Sequence, residues 1–231
     1  MIMSRFDSLF KKYDRLVLFD TETTGLYYSR EQIIEFAAVV LERRDGETVV
    51  TREYDELISL RPGTFVPDQI VKLTGITNED IAARGIPKAQ VCRDIAEMIA
   101  GNTLLLAYNA HFDLSFLFYM LLRDGDPTIL KGKDKIDLLT VYKDRRSFPH
   151  KLCNAITAYH LDDKVVNSHR AVDDVLATVA VMEAMEQERD DLVNYVNLFG
   201  YNPKFGLDGK PIGSITYKPQ PYDPPQPLYM T

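Results

Sequence analysis

The chain has 231 residues, of which 45% are hydrophobic and 26% charged, so it has the composition of a globular protein with a substantial core. Its formal net charge of −7 and its pI near 5.2 exclude nucleic-acid binding by overall electrostatic attraction, because phosphate would be repelled. If the protein binds nucleic acid, it needs local lysine and arginine residues or bridging metal ions.

Cysteine usage and hydropathy predict the cellular compartment. The two cysteines, Cys92 and Cys153, do not suggest a disulfide framework, and residues 1–14 lack the apolar core of a signal peptide. No stretch approaches the roughly 18 uninterrupted apolar residues of a membrane span. These features predict a soluble, cytoplasmic protein with reduced cysteines.

The first predicted elements are a short helix and a buried strand. Ser4–Tyr13 spaces its apolar residues at helical intervals, which predicts an amphipathic helix that packs beside the first strand. Leu16–Phe19 is an apolar run of strand length, and Asp20 and Glu22 after it point to the same side. Like charges about 4 Å apart repel by roughly 4 kcal/mol at an effective dielectric near 20. One of these acids should therefore hold a proton, or a cation should lie between them.

Two other interpretations of Asp20 and Glu22 remain open at this point. The acids could be exposed loop residues after a core strand. The chain could also be a phosphatase with an aspartate nucleophile, similar to the haloacid dehalogenase-like enzymes, in which a similar strand ends in Asp-x-Asp. The second acid here is a glutamate, which disfavours the phosphatase.

Two further strands follow the first. Gln32–Glu42 and Thr48–Leu60 have extended patterns, and an Asp-Gly turn at residues 45–46 joins them. The first three strands are therefore predicted to be largely antiparallel. Glu35 lies inside the second strand and is interpreted as a satisfied or edge-facing acid, with contact to the active site as the less favoured alternative.

The middle of the chain predicts a loop, two helices and a buried strand. Residues 62–77 form a loop with a short helix, and Asn78 caps another short helix. Pro87 opens a longer helix that runs to Ala100. Thr103–Ala107 is leucine-rich on both faces, which is typical of a buried strand parallel to its neighbour.

A second acidic position follows this fourth strand directly. Residues 108–113 read Tyr-Asn-Ala-His-Phe-Asp and lead into a helix that runs to about Arg123. Asp113 lies in the first helical turn, where the helix dipole favours a negative charge by about 0.3–1 kcal/mol. Such acids are common at helix starts, so Asp113 alone does not indicate a site.

A third acidic position begins the last long helix. Lys135–Tyr142 is predicted as the fifth strand and Leu152–Tyr159 as a helix, and residues 169–174 then lead into a helix that ends near Arg189. If His169 is helical, Asp173 shares its face; if His169 lies in the preceding loop, Asp174 can point at the site instead. Helical geometry alone does not choose between the two acids.

The composition changes from Asn197 onward. Seven of the twelve prolines lie in the last 31 residues, together with several tyrosines. A segment of this kind forms neither a long helix nor a central strand. We therefore predict an N-terminal domain over residues 1–196 and a Pro/Tyr-rich tail over residues 197–231. The tail is expected to lie over the domain or to be disordered, with partner binding as an alternative.

Three motifs resemble those of the DnaQ-like (DEDDh) 3′–5′ exonucleases of the proofreading type. One such motif is weak evidence, but three in this order at strand ends or helix starts are specific. They are Asp20-Thr-Glu-Thr-Thr-Gly-Leu26, Asn109-Ala-x-Phe-Asp113 and His169-x-Ala-x-x-Asp174. The chain has Tyr108 where many members have histidine, which puts a functional role at that position in doubt.

The resemblance implies an α/β fold of the ribonuclease H-like type. Its central sheet has five strands, three antiparallel and then two parallel, and helices flank it. The motif spacing also selects Asp174 over Asp173.

The resemblance further implies a catalytic site with two divalent cations, Mg²⁺ or Mn²⁺, which hard oxygen ligands favour. Zinc is not expected, because no Cys/His cluster has the required spacing. His169 would be the general base, since histidine exchanges a proton near neutral pH. The metal ligands would be Asp20, Glu22, Asp113 and Asp174.

Residues around the motifs are implied to contact the substrate. The terminal nucleotide would lie against Thr23, Thr24, Leu26 and Asn109. Lys151 and Arg170 could meet backbone phosphates. The remaining histidines are expected to be structural or exposed: His111, His150 and His160.

The sequence thus predicts a metal-dependent 3′–5′ exonuclease that releases nucleoside 5′-monophosphates from single-stranded DNA ends in proofreading or repair. A polymerase or replication protein is a candidate partner. One alternative is an RNase T-like 3′–5′ exoribonuclease. The other is a non-catalytic nucleic-acid-binding module on the same fold.

Overall fold

A five-stranded mixed sheet forms the centre of the computed structural model, which describes residues 5–231. The strand order is β3-β2-β1-β4-β5, in which β1, β2 and β3 pair antiparallel while β4 and β5 run parallel to β1. The predicted sheet, three antiparallel strands and then two parallel strands, is confirmed. The strands are β1 (Arg15–Thr23), β2 (Ile33–Arg44), β3 (Glu47–Leu57), β4 (Thr103–Ala107) and β5 (Asp134–Asp137).

Helices cover both faces of this sheet. The described helices are α1 (Asp7–Phe10), α2 (Asp68–Thr74), α3 (Asn78–Arg84), α4 (Lys88–Met98), α5 (Ala110–Asp124), α6 (Leu138–Lys143), α7 (Leu152–Ala158) and α8 (Ala171–Glu188). Short 3₁₀ segments occupy Pro127–Leu130, Leu192–Tyr195 and Leu228–Met230.

Strand β1 belongs to two hydrophobic cores because its side chains alternate between faces. Leu16 and Leu18 pack into the core that includes α8, whereas Val17 and Phe19 pack into the core that includes α4 and α5. Burial of each such side chain contributes about 1.5–3 kcal/mol, which holds β1 at the centre of the fold. By the same alternation, Asp20 and Glu22 extend from the face that α8 covers.

The predicted fifth strand is wrong after Asp137. Residues 138–142 form most of α6 rather than the end of a strand. The Asp137 carboxylate caps this helix, accepting hydrogen bonds from the backbone N–H groups of Leu139 and Thr140 at 3.2 Å each. A side-chain cap of this kind satisfies donors that a strand would have paired with a neighbour.

Two predicted helix starts also need correction. Asn78 is the first residue of α3 rather than its cap; Thr77 is the cap, and it shares a reciprocal capping box with Asp80. The Asn78 side chain instead bonds the backbone of Val66. The N-terminal helix is the single turn α1 rather than Ser4–Tyr13, and Ser4 lies outside the described residues.

The C-terminal segment packs against the sheet. Strands β6 (Leu198–Tyr201) and β7 (Thr216–Pro219) form a parallel pair, and Phe199 and Leu228 are buried. The buried Gln220 side chain donates a hydrogen bond to the carbonyl oxygen of Thr140 in α6. The domain boundary at residue 197 stays a prediction.

Neither cysteine is in a disulfide: Cys92 is buried and Cys153 is exposed. Within residues 5–231, no helix combines the length and the apolar composition that crossing a membrane requires.

Candidate active site

Asp20 and Glu22 lie inside β1 rather than after it, because the strand continues to Thr23 beyond its apolar run. In the antiparallel register with β2, Asp20 is opposite Ala37 and Glu22 is opposite Glu35. The register shifts directly after Glu22. The two acids therefore share one face at the carboxyl end of a central strand.

Asp113 reaches this strand end from the first turn of α5. Its carboxylate is buried and accepts hydrogen bonds from Thr21, at 3.1 Å from the backbone N–H and 2.6 Å from the hydroxyl. Thr21 lies between Asp20 and Glu22 in β1. This contact could not be predicted from the sequence, although Thr21 is the middle residue of the Asp-Thr-Glu motif.

Asp137 fixes the start of α5 that carries Asp113. Its Oδ1 atom accepts hydrogen bonds from the backbone N–H groups of Asn109, at 2.9 Å, and Ala110, at 3.1 Å. Asn109 has a left-handed backbone with φ of 70°. One buried carboxylate thus connects the end of β5 to the N-termini of both α5 and α6.

The fourth acid comes from the first turn of α8. Asp174 is buried and accepts a 2.6 Å hydrogen bond from the Asn167 side-chain amide. His169 lies in the loop before the helix with φ of 59°. Asp173 accepts a hydrogen bond from the exposed Ser168 hydroxyl. The loop position of His169 is the condition under which Asp174 was expected to face the site.

Glu22, His169 and Asp174 converge on one point. Each offers a possible ligand atom, and these atoms lie within 4.8 Å of one another. The trio combines β1 with the loop and first turn of α8. Separations of this size match a set of side chains that hold one cation.

Glu35 is a further acid at the site. It is fully buried on β2 opposite Glu22, and it accepts hydrogen bonds from the Arg170 guanidinium and the backbone N–H of Ala171. The satisfied acid that the sequence favoured is therefore found, but its partners are the residues directly after His169. An apolar strand pattern with one acid does not reveal a partner 135 residues away.

Burial, together with the charges of neighbouring acids, raises the pKa values of the site carboxylates. Burial, followed by the charges of Asp113, Asp174, Glu22 and Glu35, raises the pKa of Asp20 well above its ordinary value. Burial and then the Asp174 charge raise the pKa of Glu22 to about 8.

The other two acids show the same direction. Burial raises the pKa of Asp113 to about 7 against the opposing Thr21 hydrogen bonds. Burial also raises the pKa of Asp174, against the hydrogen bond from Asn167. Acids held this close favour either shared protons or bound cations.

The residues expected to contact the substrate differ in their exposure and in their hydrogen bonds. Thr23 donates its hydroxyl to the carbonyl oxygen of Gly25 at 2.7 Å, and the Thr24 hydroxyl bonds Glu31 and the backbone N–H of Gln32. Both buried threonines therefore shape the loop after β1. Leu26 is 78% exposed at the tip of that loop, and Asn109 is exposed at the start of α5.

The other candidate residues have structural contacts or lie at the surface. The Arg170 guanidinium is engaged by Glu35, whereas Lys151 is exposed before α7. His111 bonds the Tyr217 hydroxyl at 2.7 Å, and His150 contacts the Arg146 carbonyl oxygen at 2.8 Å. The buried Tyr108 hydroxyl, at the position that departs from the motif, donates to the carbonyl oxygen of His150.

The sequence matches a family model described as exonuclease (RNase T type) over residues 17–182, which contain all three motifs. Since this match covers well over half of the chain, the protein belongs to this exonuclease family. The resemblance drawn from the three motifs is confirmed at the level of the family.

Curated relatives include several replication proteins. The chain is 33% identical over 183 residues to the PolC-type DNA polymerase III of Clostridium perfringens. The aligned region covers 77% of this chain and 12% of the polymerase. It is 31% identical over 115 residues to the DNA polymerase III subunit epsilon of Treponema pallidum, covering 48% and 49%. The 3′–5′ exonuclease DinG of Bacillus subtilis is 34% identical over 112 residues, covering 48% of this chain and 11% of DinG. The chain therefore matches only part of each of these relatives.

Solved structures confirm the predicted fold. Escherichia coli exonuclease I in complex with a dA16 oligonucleotide superposes with a TM-score of 0.68 and 21% identity, covering 79% of this chain and 42% of the other. At this identity the similarity establishes the ribonuclease H-like fold alone.

Proposed function

We propose that the protein is a metal-dependent 3′–5′ exonuclease that removes nucleoside 5′-monophosphates from single-stranded DNA ends. The observation that carries the proposal is the convergence of Glu22, Asp174 and His169 at the end of β1, with Asp20 and Asp113 beside them. These groups come from three distant segments of a chain that belongs to an exonuclease family.

Four carboxylates would hold the cations: Asp20, Glu22, Asp113 and Asp174. The fit rests on their raised pKa values, because crowded buried acids gain stability when divalent cations replace their protons. Oxygen ligands of this kind favour Mg²⁺ or Mn²⁺. Two bound cations would neutralise the scissile phosphate and stabilise charge on the attacking and leaving oxygens.

The chain's own groups would orient the substrate and move a proton. His169 would take a proton from the attacking water, whose oxygen joins phosphorus while the bond from phosphorus to the 3′ oxygen breaks. The leaving 3′ oxygen takes a proton from solvent and remains on the shortened strand as its 3′ hydroxyl, while the released nucleotide carries the phosphate at its 5′ position. Leu26, exposed on the loop after β1, would pack against the terminal base.

DNA is the favoured substrate because the relatives named above include DNA polymerase III proteins and an exonuclease bound to oligodeoxyadenylate. The same relatives favour a polymerase or replication protein as partner, with a role in proofreading or repair. The acidic chain would depend on the cations to hold phosphate, because its net charge of −7 repels the strand.

Digestion of 5′-labelled DNA and RNA strands of matched sequence tests this function. With Mg²⁺ or Mn²⁺, the wild type should shorten DNA from its 3′ end to a ladder of labelled products. The Asp20→Asn variant should lose at least 100-fold in rate, while EDTA should abolish the reaction. Unchanged activity in Asp20→Asn would remove the proposal.

The same assay distinguishes the alternatives. Faster digestion of RNA would identify an exoribonuclease. Strand binding in a mobility-shift assay without any product, together with no heat of Mn²⁺ binding in calorimetry, would identify a binding module. Immediate release of the 5′ label as a mononucleotide, without a ladder, would reverse the proposed direction.

A further inference from the structure

A cavity of about 510 Å³ lies between α5 and the C-terminal segment, and none of the proposed metal ligands lines it. One wall is a face of α5 that includes Leu114 and Phe118, four residues apart. Tyr28, Leu130 and Ile212 are among the other apolar residues of the lining. Its size and lining fall within the range of small-molecule sites, about 300–1,000 Å³ and mostly apolar.

A buried lysine contributes to this lining. Lys135 is only 3% exposed, and its ammonium donates hydrogen bonds to the Lys133 carbonyl oxygen at 2.6 Å and the Ser214 hydroxyl at 3.0 Å. An ammonium has three N–H donors, so one remains available. Across residues 5–231, no carboxylate lies within ion-pair distance of Lys135.

The neighbouring acid does not serve as that partner. Asp134 accepts 2.6 Å hydrogen bonds from the Tyr13 hydroxyl and the Asn197 side-chain amide. Successive residues of β5 point to opposite faces, which places Asp134 away from Lys135. Burial lowers the pKa of Lys135, while the Asp134 charge acts in the opposite direction. A buried ammonium without a carboxylate is costly, and an anion beside it would stabilise the charged form.

The charged residues that line the cavity are all lysines. Besides Lys135, the lining includes Lys131 and Lys210, both exposed, and no aspartate or glutamate of the described chain contributes to it. In a protein with a net charge of −7, this concentration of lysines creates a local positive potential. The combination of apolar walls, an inner ammonium and outer lysines selects for an anion with an apolar body.

We propose that this cavity is a binding site for a small organic anion that carries one acidic group on an apolar or aromatic body. The acidic group pairs with the free N–H of Lys135, and the body packs against Leu114, Phe118 and Ile212. Lys131 and Lys210 attract the anion at the entrance. The proposal is independent of the nuclease function.

Fluorescence titration with 8-anilinonaphthalene-1-sulfonate tests the site on the full chain in EDTA. The wild type should bind one equivalent, and Lys135→Met should weaken binding at least 10-fold. Lys133→Met is the matched control, since Lys133 lies two residues away and does not line the cavity; its affinity should stay within 2-fold of wild type. The uncharged probe N-phenyl-1-naphthylamine should bind wild type and Lys135→Met equally.

Several outcomes would overturn the site. These are equal sulfonate affinity in wild type and Lys135→Met, loss of the charged and uncharged probes in parallel, or no binding to wild type. If Lys135→Met does not fold, the exposed pair Lys131→Gln and Lys210→Gln provides the second variant, with an expected weakening of about 3-fold. An unchanged affinity in that pair would then contradict the proposal.

Competition identifies the acidic group. Displacement of the fluorescent probe by thymidine 5′-monophosphate would assign a phosphate, and displacement by indole-3-acetate would assign a carboxylate. Displacement by neither would overturn the proposal, because a general anion site must accept at least one. Asp20→Asn should leave probe binding unchanged, so failure of this site and failure of the nuclease function are distinguishable.

Discussion

Glu35 on β2 and Arg170 at the start of α8 form a partly buried ion pair that connects the sheet to the helix bearing Asp174. The Arg170 Nε atom lies 2.8 Å from Glu35 Oε1, and the other carboxylate oxygen accepts the Ala171 backbone N–H at 2.7 Å. Glu35 is fully buried, while the Arg170 side chain is about one-third exposed. Both oxygens of Glu35 therefore hold the segment that follows His169.

Replacement of Glu35 by glutamine should loosen this segment. The amide cannot accept at both positions, so Arg170 or the Ala171 N–H loses its partner. We expect the free energy of unfolding to decrease by about 2–3 kcal/mol. This is less than the roughly 3–5 kcal/mol typical of a broken buried pair, because Arg170 is partly exposed. Chemical denaturation measures this free energy, and Glu53→Gln, at an exposed position on β3, is the control.

The same variant should weaken Mn²⁺ binding in calorimetry, since Asp174 and His169 are no longer fixed against β1. Arg170→Met and the double variant complete a double-mutant cycle that isolates the pair. Additive effects in the cycle would show that Glu35 and Arg170 act independently.

The stability of the metal-free protein should fall as pH rises. The raised pKa values of Asp113, about 7, and Glu22, about 8, mean that the folded state binds more protons than the unfolded chain above about pH 4.5. The stabilisation from protonation is complete below the unfolded pKa and is lost as pH passes through 7 to 8.

In EDTA, the Tm of wild type should therefore decrease relative to a Glu22→Gln and Asp113→Asn double variant between pH 5 and pH 8. We expect a relative decrease of at least about 4 °C, because a loss of only about 2 kcal/mol already corresponds to this at about 2–4 °C per kcal/mol for a domain of this size. Saturating Mn²⁺ should remove the decrease in wild type only. A difference that is constant with pH would contradict the raised pKa values of these two acids.

Substitution of the two adjacent acids of the last motif should affect the nuclease activity to very different extents. Asp174 is buried beside Glu22 and His169, whereas Asp173 bonds the exposed Ser168 hydroxyl. We expect Asp174→Asn to reduce the rate of DNA shortening at least 100-fold and Asp173→Asn to change it less than 3-fold. Equal losses in single-turnover assays would show that Asp173 also acts at the site.

The sequence predicts most of the fold because apolar periodicity and turn residues are local signals. The runs at residues 16–19 and 103–107 identify buried strands, and the Asp-Gly turn identifies a hairpin. The error at residues 138–142 arises because Asp137 satisfies helix donors with its side chain. An apolar run of this length fits a strand or a buried helix equally well.

The positions of the acids could be predicted for a similar reason, but their supports could not. Asp20, Glu22, Asp113 and Asp174 belong to short motifs, whereas Glu35, Thr21 and Asn167 act through contacts made only after folding. Arg170, a candidate for phosphate binding from its charge, is held by an acid far away in the sequence. Charge alone does not distinguish these two roles.

Asp137 should be important for stability although it is not among the proposed ligands. Its carboxylate accepts backbone hydrogen bonds at the starts of α5 and α6, and removal of it leaves the buried N–H groups of Ala110 and Thr140 unsatisfied, together with two partly buried ones. Asp137→Ala should destabilise the protein by about 2–4 kcal/mol in urea denaturation. Asp126→Ala, at an exposed 3₁₀ helix start, is the control and should cost less than about 1 kcal/mol.

Leu26 should contribute to substrate binding without contributing to stability. Its side chain is 78% exposed on the loop after β1, so Leu26→Ala should change the free energy of unfolding by less than about 0.5 kcal/mol. If Leu26 packs against the terminal base, the same change should raise KM for single-stranded DNA about 5-fold or more with a smaller effect on kcat. Leu122→Ala, 54% exposed near the end of α5, is the matched control and should leave both constants unchanged. Equal KM values for the two variants would mean that the exposed leucine has no contact with the strand.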